Sequence, residues 1–229
     1  MALKKMKTVD LVAKIFGEAV KEVIETSTGT SITYAPTIQD VPSISLKPDL
    51  GCFVQFAGDY SGLFIMNLSG NAALELYEKA MTFMGLPESE LVDDYNSEDV
   101  VSSVGEMINQ VIGKARQKIE QEFGLSARNN QPKAITISSA ITLSVATMLD
   151  RPQCRRLSFR TEKNHPFYVE MNLEQTEFIR LEPVQKHDAT DIQERVDAAI
   201  TNGHASSQSE QDKGQEKTVD IDAIMAELG

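Results

Sequence analysis

The chain has 229 residues, 34 of them acidic and 22 basic, with a formal charge of −12 and a pI near 4.7. That length holds one substantial domain with an appendage, or two small domains. The charge, and the lack of any local basic patch, argue against a nucleic-acid partner.

No apolar run approaches the roughly eighteen residues of a membrane span. The start, Lys4-Lys5-Met6-Lys7, is not followed by the apolar stretch of a signal peptide. Cys52 and Cys154 lie far apart, giving neither a disulfide framework nor metal-ligand spacing. They read as two reduced, buried thiols of a cytoplasmic protein.

In chain order, residues 10–27 carry a helical apolar pattern that includes Leu11, Ile15, Val20 and Ile24, with Asp10 as the expected N-cap. Thr28-Gly29-Thr30 ends it. Pro36, Pro42 and Pro48 restrict residues 31–48 to short or edge strands. Residues 51–57 and 62–68 read as strands joined across Gly58-Asp59-Tyr60-Ser61. Asn71 is the expected cap of a helix running to about Met84, closed by Gly85 and Pro87. An acidic loop, 88–94, follows. A long helix is expected over 97–123, with Ser97 at its start and Gly124 at its end.

Beyond it, 134–148 is rich in Ile, Val and Thr and holds a strand interrupted near Ser138-Ser139. Residues 154–161 and 166–173 alternate and read as a second hairpin. The order is helix, hairpin, helix, helix, three strands: an α/β layered fold whose largely antiparallel sheet packs with long helices.

This domain is expected to span 1–183. Residues 184–217 read as a flexible polar linker, most polar over 206–217 and fully linker-like over 202–217, with spacing for a short helix at 190–201. In 218–229 the pattern changes: Ile221, Ile224, Met225 and Leu228 recur at i, i+3, i+4, i+7 behind an acidic start. Twelve residues are too few to be stably helical alone. The segment is either a frayed or packed-back tail, or a motif that folds in a partner's groove.

The most informative stretch is the long helix. At about 100° per residue, Ser102, Glu106, Asn109 and Gly113 form one stripe about 60° wide. Val101, Val104, Ile108, Val111, Ala115 and Ile119 fall opposite and make a buried face. The stripe presents a carboxylate and a carboxamide one turn apart, with a glycine beyond them that leaves room for a docking partner.

Taken with Pro132, these residues read Ser, three residues, Glu, two residues, Asn, twenty-two residues, Pro. The pattern resembles the signature of the CheC/CheX/FliY phosphatases of bacterial chemotaxis. The opening helix, the 51–68 hairpin and the 71–84 helix follow that family's order, so the resemblance covers roughly residues 8–182, in a CheX-like form.

The resemblance implies a phosphatase for phospho-aspartate on a CheY-like response regulator. Asn109 would position the attacking water and Glu106 would pair with the regulator's lysine. Ser102 would contribute little, and Pro132 would be structural. The chain would bind no cofactor; Mg²⁺ would belong to the regulator. Members with two sites repeat Glu-x-x-Asn on the first helix; here Glu18-Ala19-Val20-Lys21 puts lysine at the Asn position, leaving one site per chain. A homodimer is the family's assembly. Asp220-Ile221-Asp222-Ala223-Ile224-Met225 resembles the segment by which the flagellar switch protein FliM holds CheY, so Ile221, Ile224, Met225 and Leu228 would bind the regulator.

The alternative is an adaptor of the same fold that holds a regulator or a flagellar switch component without turnover. Other chemistries compete poorly. His165, His187 and His204 lie near no nucleophile motif, and the glycines form no phosphate-binding loop.

Overall fold

The computed structural model describes residues 6–138 and 141–179. These belong to a unit of Met1–Val184; a second unit, Gln185–Gly229, lies outside them.

The first helix, α1, is Thr8–Thr28, and it buries Val9, Val12, Ala13, Phe16, Val20 and Ile24. It ends where Gly29, at φ +67°, takes the left-handed conformation that glycine tolerates best, and donates its N–H to the Glu25 carbonyl. The expected Asp10 cap is displaced. Lys7 occupies the cap position and makes no side-chain bond there. Asp10 sits inside the first turn, its carboxylate 2.6 Å from Nε of Arg155. A guanidinium outcompetes a backbone amide for that carboxylate. The helix start is served instead by Glu177, which accepts from the Thr8 backbone N–H and hydroxyl at 3.3 and 3.0 Å.

Three short strands follow: β1 (Thr33–Tyr34), β2 (Gln39–Val41) and β3 (Ser45–Leu46). The proline-rich stretch permits nothing longer. The hairpin is β4 (Leu50–Gly58) and β5 (Gly62–Leu68). Helix α2 is Gly70–Phe83, capped by the Ser69 hydroxyl accepting from Ala72 N–H at 3.3 Å. Ser69, not Asn71, is therefore the cap; Asn71 is already inside the helix and exposed. The acidic loop contains a 3₁₀ turn, Glu88–Glu90.

The third helix, α3, is Glu98–Phe123. The Ser97 hydroxyl accepts from Val100 N–H, and Gly124 closes the helix at φ +69°. Five strands follow: β6 (Ala127–Asn129), β7 (Lys133–Thr136), β8 (Leu143–Ser144), β9 (Gln153–Arg160) and β10 (Pro166–Leu173).

The main sheet runs β1-β9-β10-β5-β4-β6, with β2 also on β9 and β7 also on β4. Every pairing in it is antiparallel. The three α-helices pack together and against this sheet, where Phe16 stacks on Phe56 and Phe64 at 5.6 and 5.4 Å. Against Leu63, Ile65 and Cys154 a second cluster forms with Ile44, Leu46 and Ile137, beside the two-stranded β3–β8 ribbon. Strand β5 is consequently buried along its whole length. Its continuous apolar stretch, Leu63-Phe64-Ile65-Met66, rather than an alternation, is the sequence mark of that position.

This second packing carries a polar clasp. Glu170 is wholly buried and accepts from Ser45 N–H (2.9 Å), Lys47 Nζ (2.6 Å) and Arg156 Nε (2.8 Å). Asn67 accepts from Lys47 N–H at 2.8 Å and donates to the Ser45 carbonyl at 2.9 Å. Glu170 and Asn67 thus each find partners, as the cost of leaving a buried polar group unpaired demands. The sheet strands are thereby tied to residues 45–47 by charge-assisted bonds.

Candidate functional site

Helix α3 buries Val104, Ile108, Val111, Ala115 and Ile119, and it exposes Ser102, Glu106, Asn109 and Gly113. The expected opposition of faces holds with one exception: Val101 is only half-buried. It lies at the margin of the stripe and lines a groove rather than the core.

That groove, about 330 Å³, runs between α3 and the segment joining β6 to β7. Val101, Ser102, Gly105, Glu106 and Asn109 form one wall; Gln131, Pro132 and Ala134 form the other. Both short strands pair with β4, and β4 and β7 also contact α3, which fixes the second wall against the first. Ser102, Glu106, Asn109 and Pro132 thus meet in space although 22 residues separate the last two. Gly113 is exposed on α3 but does not line the groove.

The Asn109 carboxamide has no side-chain hydrogen-bond partner among the described residues. An exposed carboxamide offers both an acceptor and donors without changing charge. Glu106 accepts a long bond, 3.4 Å, from Gln110 Nε2, one turn along the helix. Its carboxylate otherwise faces solvent and can receive a cation.

Sequence reasoning did not single out Gly105 or Gln131. Each had a local signal: a glycine in mid-helix, and a residue adjoining the motif proline.

The corresponding stretch of α1 is closed by ion pairs. Lys14 Nζ is 3.7 Å from Glu18, and Lys21 pairs with Glu25 while donating to the Ile32 carbonyl at 3.0 Å. Glu22 bridges to α3 through Lys114 (2.6 Å) and Lys118 (2.9 Å). These two ammonium groups, Lys114 foremost, hold the Glu22 carboxyl below its ordinary pKa. Lys21 is committed to neighbours and has no carboxamide to offer.

Both cysteines are buried, and burial pushes the Cys52 thiol up to about 12. Such a thiol stays protonated and unreactive. Among the described residues, no group of three or more His, Cys, Asp or Glu side chains is placed to hold a metal ion. Nor is any described helix long and apolar enough to cross a membrane. The regulator-binding residues expected at Ile221, Ile224, Met225 and Leu228, and the linker expected over 184–217, lie outside the described residues.

Three helices over a largely antiparallel sheet, with this groove on α3, define a protein with the fold of the CheX and CheC-like chemotaxis proteins. A putative chemotaxis protein from Desulfovibrio vulgaris Hildenborough is 20% identical, with a TM-score of 0.61 over 76% of this chain and 100% of that one. CheX from Desulfovibrio desulfuricans is 22% identical, TM-score 0.58, covering 72% of this chain and 99% of its own. CheX in the CheX–CheY–BeF3–Mg²⁺ complex from Borrelia burgdorferi is 16% identical, TM-score 0.54, covering 72% and 98%. At these identities the likeness is one of fold. The chain itself belongs to the family described as "Protein of unknown function (DUF3334)", whose model matches residues 3–229. No curated protein matches it.

Proposed function

We propose that this protein hydrolyses the phospho-aspartate of a CheY-like response regulator, with Asn109 positioning the attacking water. The observation that carries the reading is the convergence of Ser102, Glu106, Asn109 and Pro132 on one open groove. A chance Glu-x-x-Asn on a solvated helix would not bring the distant proline to the same place. The fold shared with a CheX bound to CheY, BeF3 and Mg²⁺ supports the partner.

An aspartyl phosphate is an acyl phosphate, already activated toward water. Hydrolysis forms a bond from the water oxygen to phosphorus and breaks the phosphorus–oxygen bond to the aspartate. The electron pair stays on the carboxylate, and the water's protons pass to phosphate and solvent. The divalent cation and the basic residue beside the phosphate are the regulator's. What this chain adds is placement. The Asn109 carboxamide oxygen accepts a hydrogen bond from the water and directs its lone pair at phosphorus, in line with the leaving oxygen. Orientation of this kind is worth several orders of magnitude in rate. Glu106 binds the regulator's lysine and sets the register; no proton transfer is asked of it. Ser102 borders the same groove and has a minor part.

Residues 218–229 act, on this reading, as a tether, with Ile221, Ile224, Met225 and Leu228 entering a groove on the regulator. The resemblance also implies a homodimer, which sedimentation of the purified protein tests, and the cytoplasm, where such regulators reside.

The deciding experiment is phosphate release from a phosphorylated CheY-type receiver with and without the protein. Acceleration over the receiver's own hydrolysis supports the phosphatase. Binding of the phosphorylated receiver without acceleration favours the adaptor.

A further inference from the structure

Glycine in mid-helix is a cost. It gives up roughly 1 kcal/mol relative to alanine, and a natural helix accepts that mainly where a side chain would collide with something. For most glycines here the obstacle is internal: a Cβ at Gly17 would come within 2.7 Å of Leu157, and one at Gly70 within 2.7 Å of Tyr95. Gly105 differs. A Cβ built there meets no atom within 4 Å, and its φ is not in the left-handed region. Nothing in the described fold requires glycine at 105.

Its position supplies a reason. Gly105 lines the α3 wall of the groove, between Val101 and Asn109 along the helix and across from Gln131 and Pro132. Any side chain at 105 would project into the space beside the Asn109 carboxamide. The opposite wall cannot retreat, because its flanking strands are paired to β4.

We propose that Gly105 is the residue that admits the phosphorylated aspartyl loop of the regulator to Asn109. Its missing side chain leaves the slot in which the acyl phosphate and its water sit. This rests on the phosphatase reading and adds a specificity determinant to it: the depth of the slot at 105, rather than any contact made by a side chain there, sets how closely a phosphorylated loop approaches. Asn71, exposed on α2 and outside the groove, is the natural control.

The test is a set of full-length variants, G105A, G105L and N71A, assayed for turnover of a phosphorylated CheY-type receiver and for thermal midpoint. G105A should melt about 2–4 °C higher, as restored helix propensity in a chain of this size requires. N71A should keep wild-type kcat. G105L should lose about a hundredfold in kcat/KM, the usual penalty for an ångström-scale misplacement at a reacting centre, with G105A intermediate. Lost activity in a protein that has become more stable cannot be blamed on misfolding.

Wild-type kcat/KM in G105L overturns the proposal while leaving the phosphatase reading intact. If the wild type binds the phosphorylated receiver but does not hydrolyse it, the phosphatase reading fails, and weaker binding by G105L than by N71A still upholds the slot. Equal binding by the two, or no binding by the wild type, overturns it.

Discussion

Replacing Glu170 with alanine should cost about 3 kcal/mol of folding stability, at the lower end of the range for breaking a buried ion pair. The carboxylate is wholly buried and receives three hydrogen bonds, from Ser45 N–H, Lys47 Nζ and Arg156 Nε, with Nη2 of Arg156 also within ion-pair distance at 2.7 Å. Its removal leaves two cations facing an empty site. Their side chains are 31% and 28% exposed, however, so both can swing toward water. That escape moderates the loss. The Ser45 amide has no such route, since its position is fixed by the β3–β8 pairing. At 2–4 °C per kcal/mol for a chain of this size, the thermal midpoint should fall by about 6–12 °C. Urea unfolding gives the free energy, and amide exchange locates the effect. Protection at Ser45 and Lys47 should drop well before that of β5. A loss below about 1 kcal/mol, with Ser45 still protected, would show that packing of Ile44 and Leu46 holds this segment and that the clasp is incidental.

Acid should release the bridge between α1 and α3. Glu22 has a folded pKa below its ordinary value of 4.5, so its contribution is present above that value and is lost as pH falls through the lowered one. The gap in urea midpoint between wild type and E22Q should therefore be open at pH 7 and close on acidification; a gap independent of pH rules the charge pairing out. The pair is partly exposed, so high salt should narrow the gap too. Deleting 218–229 should raise the apparent KM several-fold and leave kcat nearly intact. A flexible linker of roughly sixteen residues, as the sequence leads one to expect over 202–217, would reach on the order of 20–25 Å and raise effective concentration only. Unchanged kinetics, with no binding of a 216–229 peptide to the regulator at millimolar concentration, would leave the tail without a role.

Much of the fold was legible because local signals and tertiary demand agreed. The apolar stripes of α1 and α3, the terminating Gly29 and Gly124, and the β4–β5 and β9–β10 hairpins all lie where periodicity and turn residues put them. The failures share a cause. Asp10 carries a capping side chain, but Arg155 is 145 residues away, and no local pattern reveals a competitor at that range. Ser69 displaced Asn71 because both are good caps, and the choice depended on how the chain leaves β5. Strand β6 was missed because Ala-Arg-Asn has no strand pattern and exists only by pairing with β4. The candidate site was half legible. A helical wheel places Ser102, Glu106 and Asn109 together, and the likeness to a known signature adds Pro132. The second wall of the groove, and hence the parts of Gly105 and Gln131, depends on how β6 and β7 dock against α3.

The water-positioning role of Asn109 is tested by single-turnover phosphate release from a phosphorylated CheY-type receiver, at saturating enzyme, comparing wild type with N109A. Asn109 is exposed and contributes no core contact, so the variant should fold and bind the receiver as wild type does. Its rate should fall by about a hundredfold or more, toward that of the receiver alone. A variant that hydrolyses at the wild-type rate would contradict the account, since the water would then be placed by something other than the Asn109 carboxamide.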